Sequence, residues 1–256
     1  YGPKIKVYSS EINTTLGKAR SSAIKKANGE WIAFLDVDDI WLPEKLERQM
    51  LGLIGSNHIL SYGGITEVDQ NLNIIRNLHP RWVSGEQLSS QLRYFEINLV
   101  TAVVNRQKLH ELGINFDEKM EASEEYNLFL KLLPHGTVFV CEEILALYRV
   151  YQESLTFKKM ERWSIERRIT LEELAAKVPD LKESESFNAA LQQADYYEAC
   201  FLMSQRGYDR ARHLLIQHKR QKVFRILAYV TYIPWLWKIL HNPFLKKRLT
   251  SIFKIF

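Results

Sequence analysis

Three carboxylates fall within four residues at Asp36-Val37-Asp38-Asp39, directly after the apolar run Trp31-Ile32-Ala33-Phe34-Leu35. Charges this close repel one another, so a chain that sets them at the end of a buried strand needs a cation or a polar ligand to offset the repulsion. At spacing two, Asp36 and Asp38 can present two carboxylates to one face of a loop. That arrangement suits Mg²⁺ or Mn²⁺, hard ions that take one or two carboxylates and fill their remaining positions with phosphate oxygens and water. A second acidic site, Glu124-Glu125-Tyr126, follows Phe116-Asp117-Glu118. It opens a helix behind the N-cap Ser123, where the backbone dipole favours an ionised carboxylate. First-turn acids that merely complement the dipole are the plainer reading of the same pattern.

The elements that must position these groups alternate in type. Residues 15 to 28 place Leu16, Ala19, Ala23, Ile24 and Ala27 on one helical face, ended by Asn28-Gly29. The run 31 to 35 is a buried strand, and the loop after such a strand is where ligands bind in α/β sheets. Pro43 opens a further helix. Ile59 to Tyr62 is a strand, residues 65 to 76 a hairpin around Asp69-Gln70-Asn71, and Leu99 to Val104 another strand leading to a helix that stops at Gly113. Helix 124 to 133 buries Leu128, Phe129, Leu132 and Leu133. Val138 to Val140 is a strand, and Ile144, Ala146, Tyr148 and Val150 alternate like an edge or half-buried strand. Lys4 to Tyr8 also has strand character, so the chain is expected to begin inside a domain. The pattern is that of an α/β protein.

Beyond about residue 158 strand signals vanish, and helical patterns cover 160 to 178, 187 to 204 and 209 onward. Tyr196 to Arg212 resembles one helix-turn-helix unit of the tetratricopeptide type, which needs a partner surface to bury its apolar face. Two domains follow: residues 1–157, and a helical region 158–256 with a basic tail. The net charge of +5 conceals this division, because residues 206–256 hold 12 Lys/Arg against the single acid Asp209, leaving −6 on the rest. Ile226 to Trp237 is an uncharged run of 12 residues, too short to cross a bilayer. With its aromatics and the later Lys246-Lys247-Arg248, it has the character of a membrane-surface element facing anionic lipid. Its bulky apolar content speaks against nucleic acid as the partner. Cys141 and Cys200 lack metal spacing and are expected to be ordinary thiols in a reducing compartment.

In order along the chain, Asn13, Leu16-Gly17-Lys18-Ala19-Arg20, Ala23, Ala27-Asn28-Gly29-Glu30-Trp31-Ile32, Phe34-Leu35-Asp36-Val37-Asp38-Asp39 and Trp41-Leu42-Pro43-Glu44-Lys45-Leu46 resemble family 2 glycosyltransferases. The resemblance implies a GT-A-type mixed sheet flanked by helices, and inverting transfer from a nucleotide-diphosphate sugar to a glycan or lipid-linked acceptor at the inner face of the cell membrane. It implies Asp38 as metal ligand, Asp36 at the ribose or the metal, and Arg20 near the nucleotide; a helix-surface role for Arg20 stays open. Glu125 stands where the family has its catalytic Asp, beside Glu124, and would deprotonate the acceptor hydroxyl. Tyr148-Arg149-Val150-Tyr151, with Ser154 and Thr156, is similar to a segment that closes over the donor. Arg149 would meet phosphate there, while Tyr151 replaces the usual His.

The resemblance covers only about residues 4 to 157, and the family's base-binding elements would precede Tyr1. The chain is therefore expected to be N-terminally truncated and weak as a catalyst alone. Two alternatives remain: a non-catalytic, membrane-tethered binding module, and a haloacid-dehalogenase-like phosphatase with Asp36 as nucleophile.

Overall fold

The computed structural model describes residues 5–9, 11–150 and 159–241. Its first part runs α1 (Leu16–Lys26), β1 (Trp31–Ala33), β2 (Ile40–Trp41), α2 (Lys45–Leu53), β3 (His58–Val68), β4 (Ile74–Leu78), α3 (Leu88–Arg93), β5 (Val103–Asn105), α4 (Arg106–Glu111), α5 (Glu124–Leu132) and β6 (Thr137–Arg149). Helices α6 (Met160–Ala175), α7 (Glu185–Ser204), α8 (Tyr208–Ile216), α9 (Lys222–Val230) and α10 (Pro234–Leu240) follow. Six strands form one mixed sheet in the order β1-β5-β3-β6-β2, with β4 continuing against β3. Among the described residues only β3 and β6 pair in parallel; the other pairs are antiparallel.

β3 lies in the middle of the sheet, and every residue from Ile59 to Val68 is buried. Gly63 lets β6 come close, because a Cβ there would sit 2.4 Å from the Leu145 side chain and 2.9 Å from the Cys141 carbonyl. One apolar core joins Leu60, Tyr62 and Val104 of the sheet to Leu128, Phe129 and Leu132 of α5, and continues into Leu171, Leu174, Phe187 and Ala190 of α6 and α7. A second core gathers Leu202, Ala211, Leu215, Phe224, Leu227 and Trp237 from α7 to α10. Among the described residues no helix is long and apolar enough to cross a membrane. Both cysteines are unbridged.

Several local expectations need correction. α1 buries Gly17, Ser21 and Ile24, while Leu16, Ala19 and Ala23 are exposed. Polar docking sets its rotation: Ser21 donates to Glu118, and a Cβ on Gly17 would stand 2.3 Å from the Asp117 carbonyl. A stripe of alanines carries too little burial energy to outweigh that. β1 ends at Ala33, so the acidic loop starts three residues past the strand. Leu99–Thr101 is a 3₁₀ turn, with Asn98 accepting the Val100 N–H, and only 103–105 is strand. β6 is one continuous strand rather than two, and its later half is half-buried between β3 and β2 rather than at an edge. Ile5 to Ser9 belong to no strand, and Ile5, Val7 and Tyr8 are exposed.

Ser123 occupies the N-cap of α5 but makes no side-chain cap bond. The acceptor comes from α6 instead. The Glu166 carboxylate, 2% exposed, accepts the backbone N–H groups of Glu121, Ala122 and Ser123 at 2.8 to 2.9 Å. A buried acceptor serving three donors cannot be lost cheaply, since each orphaned group costs about 1–3 kcal/mol. Glu166→Ala is expected to lower unfolding stability in urea by about 2–4 kcal/mol, and Glu166→Gln by less. An unchanged urea midpoint for Glu166→Ala would show that the carboxylate is not the cap.

Candidate active site

Arg20, Asp36, Asp38, Glu124, Glu125 and Arg149 all line one cavity of about 700 Å³. α1 carries Arg20, the β1–β2 loop carries Asp36 and Asp38, the N-terminus of α5 carries the two glutamates, and β6 ends at Arg149.

Arg20 joins the two acidic sites. Its Nη2 donates to both oxygens of Asp36, at 2.8 and 2.7 Å, and its Nη1 donates to Glu124 at 2.6 Å. Glu125 stands 3.7 Å from the same Nη1. Burial alone would depress the Arg20 guanidinium, but the charges of Glu125, Asp36 and Glu124 outweigh it and hold the group above its ordinary value. Arg20 is thus spent on carboxylates rather than left on a helix surface. Asp36, expected as a metal or ribose contact, has both oxygens engaged by it.

The two glutamates differ in setting. Glu124 is buried, and burial raises its carboxyl above the usual range against the pull of Arg20. The Glu125 side chain keeps 40% of its surface open to the cavity. Even so, desolvation of the carboxyl by the surrounding protein, ahead of the neighbouring Glu124 charge, pushes it up to about 7, with Arg20 opposing. In the acidic loop, burial pushes Asp39 up to about 6 against the backbone N–H of Arg149, which it accepts at 2.9 Å.

Arg149 braces that loop. Its Nε donates to the Asp38 carbonyl and its Nη1 to the Gln70 carbonyl, both at 2.9 Å, tying the acidic loop to the β3–β4 hairpin. Tyr151, Ser154 and Thr156 lie outside the described residues. Among the described residues no group of three or more His, Cys, Asp or Glu converges on a metal position.

The cavity also takes residues that sequence reasoning passed over. Trp163 and Arg167 come from α6, Tyr197 from α7, and Arg81, Tyr94, Phe95 and Glu96 from around α3. Glu96 organises its loop by accepting from the Tyr62 hydroxyl at 2.6 Å and from the N–H groups of Arg81 and Trp82. The i, i+4 spacing of Trp163 and Arg167 puts them on one helix face, but nothing local distinguishes that face from an ordinary exposed one.

Removing Arg20 leaves Asp36, Glu124 and Glu125 facing one another without a cation. Arg20→Gln is therefore expected to lower stability by about 3 kcal/mol. The double variant Arg20→Gln/Glu124→Gln should recover part of that loss. Urea unfolding of the pair checks it: additive losses would mean that the bridge is not what holds the carboxylates together.

Residues 1–150 match the family described as Glycosyl transferase family 2. The Escherichia coli protein named UDP-Glc:alpha-D-GlcNAc-diphosphoundecaprenol beta-1,3-glucosyltransferase WfgD is 30% identical over 168 residues, 63% of this chain and 64% of that protein. The uncharacterized glycosyltransferase MJ1057 of Methanocaldococcus jannaschii is 27% identical over 142 residues, 55% of this chain and 49% of that one. The aligned chain thus spans from about half to under two thirds of these relatives. The solved structure of S. aureus TarS 1-349 in complex with UDP-GlcNAc shares the fold, with a TM-score of 0.54 at 19% identity over 87% of this chain and 62% of that one. The phosphatase alternative rested on an Asp-x-Asp after a strand, and the family match sets it aside. With well over half of its length matched and its sheet and helices arranged alike, the chain belongs to glycosyl transferase family 2 and has the GT-A fold.

Proposed function

We propose that the protein is an inverting, divalent-metal-dependent glycosyltransferase moving a sugar from a nucleotide-diphosphate sugar to a hydroxyl of a glycan or lipid-linked acceptor. The observation that carries this reading is the Arg20 bridge, which sets the acidic loop and the Glu125 end of α5 on the wall of one cavity. Glu124 is occupied by Arg20, so Glu125, open to the cavity, is the base and Glu124 its positioning neighbour. Glu125 takes the proton from the acceptor hydroxyl as that oxygen attacks the anomeric carbon opposite the departing diphosphate.

The donor set fits Mn²⁺ or Mg²⁺. The loop offers only hard carboxylate oxygens, from Asp38 and from Asp36 in exchange for one of its Arg20 contacts. One or two carboxylates are what such an ion takes from a protein when a diphosphate supplies further ligands. Bound there, the ion would offset the negative charge developing on the leaving diphosphate.

Calorimetry with Mn²⁺ and UDP is expected to show binding that Asp36→Ala/Asp38→Ala weakens by roughly tenfold or more. Unchanged affinity sinks the metal site. Glu125→Gln should keep that binding while lowering transfer from UDP-glucose to an N-acetylglucosaminyl diphosphate lipid by about 10²–10⁴-fold. The base works only when ionised, and its carboxyl titrates at about 7, so kcat/KM should rise as pH climbs through about 7 and level off above it. A profile flat across that range counts against Glu125.

The reading includes a peripheral position at the inner face of the membrane. α9, α10 and the turn between them present Tyr229, Trp235 and Tyr232 at 63 to 65% exposure, with Lys222, Arg225 and Lys238 on the two helices. Arg212 stacks beneath Tyr232 at 3.5 Å. Amphipathic aromatics among cations suit the headgroup level of an anionic bilayer. Lys246-Lys247-Arg248 lie outside the described residues. Sedimentation with phosphatidylglycerol-containing vesicles is expected to carry the protein down, and Tyr229→Ser/Tyr232→Ser/Trp235→Ser to release most of it. Equal sedimentation of both proteins would remove this face from consideration.

A further inference from the structure

One wall of the cavity has no part in the chemistry described above. Arg167 of α6 lies among three aromatic rings, its guanidinium carbon 4.1 Å from the Tyr126 centroid, 4.6 Å from Tyr197 and 5.9 Å from Phe95. Trp163, one helical turn earlier, meets Tyr197 edge-on at 5.0 Å. Next to Phe95, Tyr94 carries a second guanidinium, that of Arg81, at 3.8 Å. All of these residues line the same cavity.

Arg20 and Arg76 of that cavity are each paired with carboxylates. Among the described residues, Arg167 and Arg81 form no such pair. The Arg167 Nε and the Trp163 Nε1 are, moreover, buried donors without a hydrogen-bond acceptor. Native interiors rarely leave such groups unpaired, and each one calls for an explanation. Aromatic stacking holds the Arg167 guanidinium by its faces and one of its N–H groups meets the Tyr126 hydroxyl, which leaves its remaining donors for an anion, above all phosphate. Aromatic rings beside that edge offer an apolar face to a sugar ring. The location is close to the base: after burial and the charges of Glu124, Arg20 and Asp36, Arg167 is the next influence on Glu125.

We propose that this wall is an acceptor subsite for a glycosyl diphosphate, with Arg167 and Arg81 taking its phosphate groups and Trp163 and Tyr197 flanking its sugar. The proposal rests on the glycosyltransferase reading for the word acceptor, but its binding chemistry stands on these residues alone. Phosphate could reach the cavity from the donor as well, so the test separates the two sources.

The probe is an N-acetylglucosaminyl diphosphate with a short alkyl tail, titrated by calorimetry into the full chain with and without saturating Mn²⁺–UDP. Binding is expected in both arms. Arg167→Gln and Arg81→Gln should each weaken it by about tenfold or more, with Arg167→Lys weakened less. The uncharged alkyl N-acetylglucosaminide should bind more weakly and be indifferent to Arg167→Gln. Trp163→Phe keeps an aromatic face but removes the N–H with the rest of the indole, so a smaller loss of probe affinity than in Arg167→Gln is expected. Unchanged affinity in Arg167→Gln and Arg81→Gln overturns the proposal, as does displacement of the probe by Mn²⁺–UDP, which would assign the phosphates to the donor. Arg81 is exposed, so its variant tests the subsite even if Arg167→Gln fails to fold. Failure of Mn²⁺–UDP to bind at all would count against the donor site only, because the arm without it still measures this wall.

Discussion

Three carboxylates from two distant segments converge on one guanidinium, and the site depends on that convergence. Asp36 and Glu124 are 88 positions apart, yet the same Arg20 holds both at 2.6 to 2.8 Å. Without a cation between them the acidic loop and the start of α5 would repel, and the cavity would open along that line. The bridge also separates the two glutamates chemically. It consumes Glu124 and leaves its neighbour, one residue on, facing the cavity with its proton affinity raised. Like charge and burial, normally costs, become the means by which an ordinary carboxyl is brought near neutrality.

The bridge depends in turn on how α1 and α5 are anchored. α1 is set by close approach at Gly17 and by Ser21, so that Arg20 points inward instead of Ala19 or Ala23. α5 is anchored from the other side of the chain by Glu166, and Asn127 adds contacts to Thr170 and Glu173. The helical region therefore shares the core of the sheet and supplies part of the cavity.

What could be read from the sequence follows from how local each determinant is. Asp36 to Asp39 hold three carboxylates in four residues behind an apolar run, and Glu124-Glu125 open a well-marked helix, so both were legible. An α/β sheet with following helices is legible from periodicity, and its mixed, GT-A character only through the resemblance of the ordered motifs to the family. Arg20 was visible as a position but not as a bridge, because its partners lie 16 and 104 residues away. Glu166, Trp163 and Arg167 were not legible: on a helix of alternating charge they look like solvated positions until α5 is packed against them. The rotation of α1 escapes sequence reading because small residues give a weak apolar signal, and the alternation in the later half of β6 marks a half-buried strand without telling an edge from a place between two neighbours.

The Glu166 cap has a consequence for the order in which the molecule is made. The ribosome delivers the acidic loop first and Glu125 about 90 residues later, but the N–H groups just ahead of Glu124 find their acceptor only after α6 has emerged. Tyr197 follows roughly thirty residues behind. At about 5–20 residues per second, the sheet can begin to collapse several seconds before its cavity acquires its last wall. Until then the clustered acids stand in a cavity that still lacks the wall Trp163, Arg167 and Tyr197 supply.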